Sequence, residues 1–305
     1  MTAASLAGTI LTFVAIVAIG WILRVTKLLR VEDTRPINAI ILYVGLPAFI
    51  IRAVHGARLD TELIAVVAVA WAVFGVLFLI AWLAARTLKL PGIVAGGFLL
   101  AATLGNTGYI GYPIAQAFLG DAALPRAIFY DVFGTVGALL LVGLVVAEHF
   151  GGGKGKKKHP VREVLGFPAV IALVIGLAIR PIEFPTVVSD GLAILASLVV
   201  PLIMISVGLS LRVGVLRRWA LPLVVLTALR LLVAPLLALL FGRALLGGDA
   251  NALRLVVLQA GMPAMMLALV VGARFELDTD FIASAILVTT IASAVTLPLM
   301  QAIVA

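Results

Sequence analysis

The stretch Gly105-Asn106-Thr107-Gly108-Tyr109-Ile110-Gly111-Tyr112-Pro113 decides how this chain is read. Three glycines, an asparagine and a proline fall within nine residues, in the middle of an apolar run over residues 93–119. Proline gives no N–H to a helix ladder and crowds the turn before it. Glycine lowers the cost of leaving helical geometry. The stretch therefore predicts a helix broken at mid-span, and such backbone survives at bilayer depth only where protein or a water-filled cavity satisfies it. A break also leaves a half-helix whose N–H groups and positive dipole end face the gap, an arrangement that attracts anions.

Working outward, the same apolar character recurs. Runs lie at about 5–23, 37–54, 62–85, 93–119, 124–147, 163–180, 190–211, 219–242, 252–273 and 280–304. Each approaches the roughly 20 residues that an α-helix needs to cross the hydrocarbon core. Hydrophobic residues make up 64% of the 305 positions and charged residues only 12%, about half the charged share of a soluble domain. Lipid must be the solvent for much of the surface. The sequence thus predicts an all-α polytopic membrane protein of ten transmembrane helices. The first run has no basic residue before it and Arg24, Lys27 and Arg30 after it, so it reads as a retained first helix rather than a signal peptide.

The net charge of +8 fits membrane topology better than nucleic-acid binding, because basic residues mark cytoplasmic connections. Connections after the odd-numbered spans hold 15 Lys and Arg, those after the even-numbered spans 6. Both termini are expected to be non-cytoplasmic, in a cell inner membrane or plasma membrane. The basic segment 151–162, GGGKGKKKHPVR, divides the chain into five-helix halves, 1–150 and 163–305. It reads as a solvated cytoplasmic linker and lacks the spacing of a phosphate-binding loop. Five is odd, so the second half must enter the membrane in the opposite sense, an inverted repeat of the kind secondary transporters use. Prolines mark matching places, Pro47 with Pro201 and Pro113 with Pro263, about 150 residues apart.

The second half carries a shorter break signal in the ninth span, Gln259-Ala260-Gly261-Met262-Pro263. Two broken helices at corresponding positions are the best sequence-level pointer to a binding site. Candidate substrate-binding residues are Asn106, Thr107, Gly108, Pro113, Gln259, Gly261, Met262 and Pro263, with Asn106 and Gln259 as amide donors. Two charges lie deep within spans, Asp131 in the fifth and Arg230 in the eighth. A charge there costs about 2.5–3.5 kcal/mol on insertion scales, so it faces the interior, water or a partner. Asp131 is a candidate coupling group. Arg230 is a candidate substrate-attracting group, unless either is held in an ion pair or by backbone carbonyls. Absent cysteine removes disulfides and thiolate chemistry. His55, His149 and His159 show no metal-ligand spacing, and no hydrolase or zinc-protease motif occurs. No metal, cofactor or enzymatic activity is expected.

With these residues in view, the chain resembles the auxin efflux carrier family, over nearly its whole length. GNTGYIGYP followed by FLGDAAL, and QAGMPAMMLALVVGARFELD, carry the resemblance. YVGLPAFI and PLIMISVGLSL support it. The resemblance implies two inverted five-helix repeats, a scaffold of spans 1, 2, 6 and 7, and a mobile unit of spans 3–5 and 8–10. Spans 4 and 9 would cross at their prolines beside the substrate, with Asn106, Pro113 and Pro263 the positions that carry over. It further implies homodimers built through the scaffold and a small carboxylate cargo, an indole acid or a dicarboxylate. Bile-acid sodium symporters share a similar fold, but spans 4 and 9 here lack the carboxylates expected around a sodium pair. A membrane sensor using the same pocket, a passive channel and a membrane enzyme are the other readings. The absence of an appended signalling domain and of any ATPase motif favours a secondary carrier.

Overall fold

The computed structural model describes residues 3–55, 62–152, 166–210 and 218–304. The basic linker and the connection after the seventh span lie mostly outside these. Every regular element among the described residues is helical. Counted through their 3₁₀ and π turns, the helices are α1 (Ala3–Val25), α2 (Val31–His55), α3 (Glu62–Thr87), α4 (Gly92–Thr103), α5 (Gly111–Leu119), α6 (Asp121–Phe150), α7 (Pro168–Ala178), α8 (Thr186–Leu209), α9 (Ala220–Leu245), α10 (Ala250–Ala260), α11 (Leu267–Arg274) and α12 (Thr279–Val304). Six of these, α2, α3, α6, α8, α9 and α12, are long and apolar enough to cross a membrane.

The apolar runs 93–119 and 252–273 are each two short helices. α4 ends at Thr103 and α5 begins at Gly111; α10 ends at Ala260 and α11 begins at Leu267. One detail differs from the expectation that prolines make both breaks. Pro263 does lie in the second gap, but Pro113 is the third residue of α5. A first-turn proline sacrifices no helical hydrogen bond, so it shapes the start of α5 while the glycines and Asn106 occupy the gap. The starts Glu62, Gly92 and Asp121 recur as Ala220, Ala250 and Thr279, each 158 residues on, and Val31 recurs as Thr186, 155 residues on. Pro113 and Pro263 thus fall in different places, one inside a short helix and the other in a gap.

Helices sort by packing. α1 lies along the second half of α8, while α7 and the first half of α8 pack on the end of α2. At the α1–α8 crossing, a Cβ on Gly20 or Gly208 would overlap the facing backbone, so glycine at both positions permits the close approach. A second group joins α3 with α4, α6 and α9, and α12 with α4, α9 and α10. Its core includes Val73, Phe98, Leu226, Val256, Phe281 and Ile282. Another cluster, with Ile50, Tyr112, Ile128, Leu173, Ile203 and Leu258, lies where the two groups meet. Outward side chains such as Leu79, Val174, Leu240 and Ile291 are exposed apolar groups, as lipid-facing surfaces require.

Asp131 and Arg230 both sit in π-helical turns, Tyr130–Val136 of α6 and Leu229–Val233 of α9. A π turn inserts an extra residue and re-aims the side chains around it, and such turns recur at functional sites. These two aim their charges at the gap between the broken helices.

Candidate functional site

The site begins with two strands of backbone too short to be a sheet. Where α4 ends, Leu104 becomes extended. Gly105 then lies antiparallel to Ala264. The Asn106 N–H donates to the Pro263 carbonyl at 2.7 Å, and the Met265 N–H donates to the Leu104 carbonyl at 2.9 Å. Each gap thus satisfies backbone groups of the other, which meets the demand that buried peptide groups be paired. A further bond, from the Ala264 N–H to Thr289 Oγ1 of α12 at 3.0 Å, pins the second gap.

The two ends of each break are treated differently. The carbonyl ends of α4 and α10 converge on Arg230, whose Nη1 donates to the Thr103 carbonyl at 2.8 Å and whose Nη2 donates to the Ala260 carbonyl. Each carbonyl end is the negative pole of a helix dipole, so one guanidinium answers both. On the other side, Asp131 accepts from Thr107 Oγ1 at 2.5 Å and from Tyr112 Oη at 2.7 Å. Its carboxylate stands beside the positive end of α5. A Cβ on Gly108 would come within 2.8 Å of Asp131 Oδ2, so glycine there makes room for the carboxylate. Asp131 is 3% exposed.

Beside this junction is a narrow pocket of about 20 Å³, lined on one side by Leu42, Leu46, Phe167 and Ala169. Asn106, Gly108, Tyr109, Tyr112, Asp131 and Met265 line the other side. Asn106 is buried, and its Nδ2 has no hydrogen-bond partner. A buried donor left unpaired costs about 1–3 kcal/mol, and Asn106 is the pocket-lining residue that carries one.

The family comparison agrees with the shape. A model of a family described as membrane transport protein matches residues 6–160 and 156–301, nearly the whole chain. The chain belongs to this membrane transport protein family. It is the auxin efflux carrier family of the resemblance. A relative from Methanothermobacter thermautotrophicus, described as an uncharacterised transporter, is 33% identical over 97% of both chains. Another from Methanocaldococcus jannaschii, with the same description, is 30% identical over 92% of this chain and 93% of its own. The family is one of multi-pass membrane transport proteins and is not an enzyme class.

Within this transport-protein chain, the sequence-predicted residues divide. Asn106, Gly108 and Asp131 line the pocket, and Thr107 reaches it through Asp131. Gly261, Met262 and Pro263 build the crossing rather than the pocket wall, and Pro113 is buried in α5. Gln259 is wholly buried between α10 and α5, where a Cβ on Gly111 would overlap its Oε1. Its Nε2 reaches only toward the Ala127 carbonyl, at 3.5 Å. Arg230 sits on the carbonyl side of the crossing, with backbone partners from both halves, and is not among the pocket-lining residues. Sequence reasoning missed Tyr112 as Asp131's partner, and Met265 as a wall. Both lie inside quoted motifs, but a tyrosine or methionine in an apolar span carries the same signal whether it serves a core or a site.

Proposed function

We propose that this chain is a secondary carrier of small organic anions that works by elevator-type alternating access. The observation that carries the reading is the orphan Asn106 Nδ2 in a pocket shared between the crossing and the α2–α7 wall. A substrate carboxylate there would accept the missing hydrogen bond. Pocket walls drawn from two differently packed helix groups suit a substrate carried by one group past the other. In this reading α1, α2, α7 and α8 form the scaffold through which a homodimer assembles, and α3–α6 with α9–α12 form the moving unit.

Ten spans in two inverted halves fit the recurrence of element starts and the parity of contacts. His55 stacks on Phe184 and meets the Ile182 carbonyl, joining connections after even spans. Arg126 pairs with Glu62 and with Asp249, again among even connections. The Asp278 N–H donates to the Ile93 carbonyl, and Arg24 donates to the Leu209 carbonyl, each joining odd connections. Alternate crossings of one membrane give this pattern.

Asp131 sets a condition on anion transport. A second negative charge about 4 Å from an ionised carboxylate is opposed by about 4 kcal/mol at an effective dielectric of 20. The carboxyl therefore holds a proton when the anion is bound, which makes Asp131 the coupling group. The same carboxylate favours one alternative, a cationic or neutral cargo bound to ionised Asp131. Calorimetric titration of purified protein with indole carboxylates, dicarboxylates and an organic amine separates the two. Anion binding that weakens as pH rises supports the carrier of anions; amine binding that strengthens as pH rises replaces it with the alternative.

A further inference from the structure

We propose that Arg230 is a positioning residue that holds the two broken helices in register, and that its charge serves the crossing rather than the cargo. It is 3% exposed on a π turn of α9. The guanidinium forks between the last carbonyls of α4 and α10, one from each half of the chain. Gly105, two residues beyond Thr103, pairs with Ala264, four residues beyond Ala260. A Cβ on Gly105 would meet the Arg230 guanidinium at 3.5 Å, an ordinary contact, so the fork lies directly against the pairing segment.

The chemistry is specific to arginine. Two helix carbonyl ends brought together place two negative dipole poles side by side, and neither has a following helical turn to supply N–H donors. A planar guanidinium offers donors to both at once, whereas an ammonium is a compact point charge that cannot reproduce the fork. With Arg230 removed, the carbonyl ends repel, and the two crossing bonds with the Ala264–Thr289 bond are left to hold the junction.

The test reads the junction directly and needs no substrate, so it stands apart from the transport reading. Hydrogen exchange is followed by mass spectrometry in segments 104–110 and 261–266, which contain the Asn106 and Met265 amides, with α8 as internal control. Arg230→Met is expected to speed exchange in both segments by roughly ten- to 150-fold, the factor matching loss of a hydrogen bond to a charged group, while α8 is unchanged. Arg230→Lys should fall between wild type and Arg230→Met, and it serves if the methionine variant does not fold. A disulfide supplies the rescue. The chain has no cysteine of its own, and Gly105 with Ala264 is a non-hydrogen-bonded antiparallel pair. Such pairs have Cα atoms about 4.5 Å apart, within the range a disulfide spans. Gly105→Cys with Ala264→Cys, oxidised in the Arg230 variant, should restore slow exchange. Unchanged exchange at both segments would overturn the proposal. So would an increase that is equal in α8 and insensitive to the disulfide, since that is loss of the fold at large.

Discussion

Three polar residues buried in apolar surroundings face the same problem and solve it differently. Asp131 finds two hydroxyl donors, Arg230 finds two carbonyls, and the Asn106 amide nitrogen finds none. The need for partners was legible in the sequence, since a charge or amide inside an apolar run stands out by type alone. The partners were not. Two are backbone carbonyls, Thr103 127 residues from Arg230 and Ala260 30 residues from it, and a carbonyl has no sequence signature. The positive end of α5, expected to be an open anion trap, already faces Asp131. Asn106→Ala removes the orphan donor while leaving the Asn106 N–H bond to Pro263 in place, and carboxylate affinity should fall roughly ten- to 150-fold, read by calorimetry. Asp131→Asn fixes a neutral side chain, so carboxylate affinity, which should decline with rising pH in the wild type, should become flat with pH.

At the scale of elements, the breaks were legible because glycine, asparagine and proline cluster where an apolar span should be uninterrupted. Their positions were less so. The sequence reading put Pro113 at the break; the structure puts it in the first turn of α5. Pro113→Ala is accordingly expected to keep the gap and to leave carboxylate affinity within a few-fold of wild type. A second prediction concerns α10, whose N-cap Asp249 accepts from the Asn251 and Ala252 N–H groups at 2.7 and 2.9 Å. The Ala252 N–H, helped by Asn251 and Arg126, holds the Asp249 carboxyl below the usual carboxylate range. A carboxyl depressed in the folded state stabilises it above the unfolded pKa, and the contribution is lost as pH falls through the folded value. Asp249→Ala should cost about 1 kcal/mol near neutral pH and progressively less in acid, seen as a thermal midpoint gap that closes with acidification.

For the whole molecule, hydropathy and charge pattern sufficed to read a helical membrane protein, because lipid demands both long apolar runs and internally satisfied backbone. Which helices pack together was not readable from periodicity, since these helices are apolar nearly all round and mark no face. That grouping came from the family resemblance, and pairing Pro113 with Pro263 misjudged their places, one in a first helical turn and the other in a gap, because proline tolerance depends on local backbone. The proposed topology has its own check in the cysteine-free background. Ile182 and Leu28 are both exposed, in connections of opposite parity. A membrane-impermeant thiol reagent added outside intact cells should label Ile182→Cys and spare Leu28→Cys.

Carriage of an organic anion across the membrane by the pocket at the crossing is open to direct measurement. Uptake of labelled indole carboxylates and dicarboxylates into proteoliposomes tests it most directly, with Asn106→Ala protein of equal thermal stability run in parallel. Saturable uptake of at least one carboxylate by the wild type is expected, faster when the compartment holding the substrate is acidic, with a markedly higher half-saturation concentration for Asn106→Ala. Saturable uptake with the same half-saturation concentration in both proteins, or carboxylate binding with no uptake at all, would contradict it.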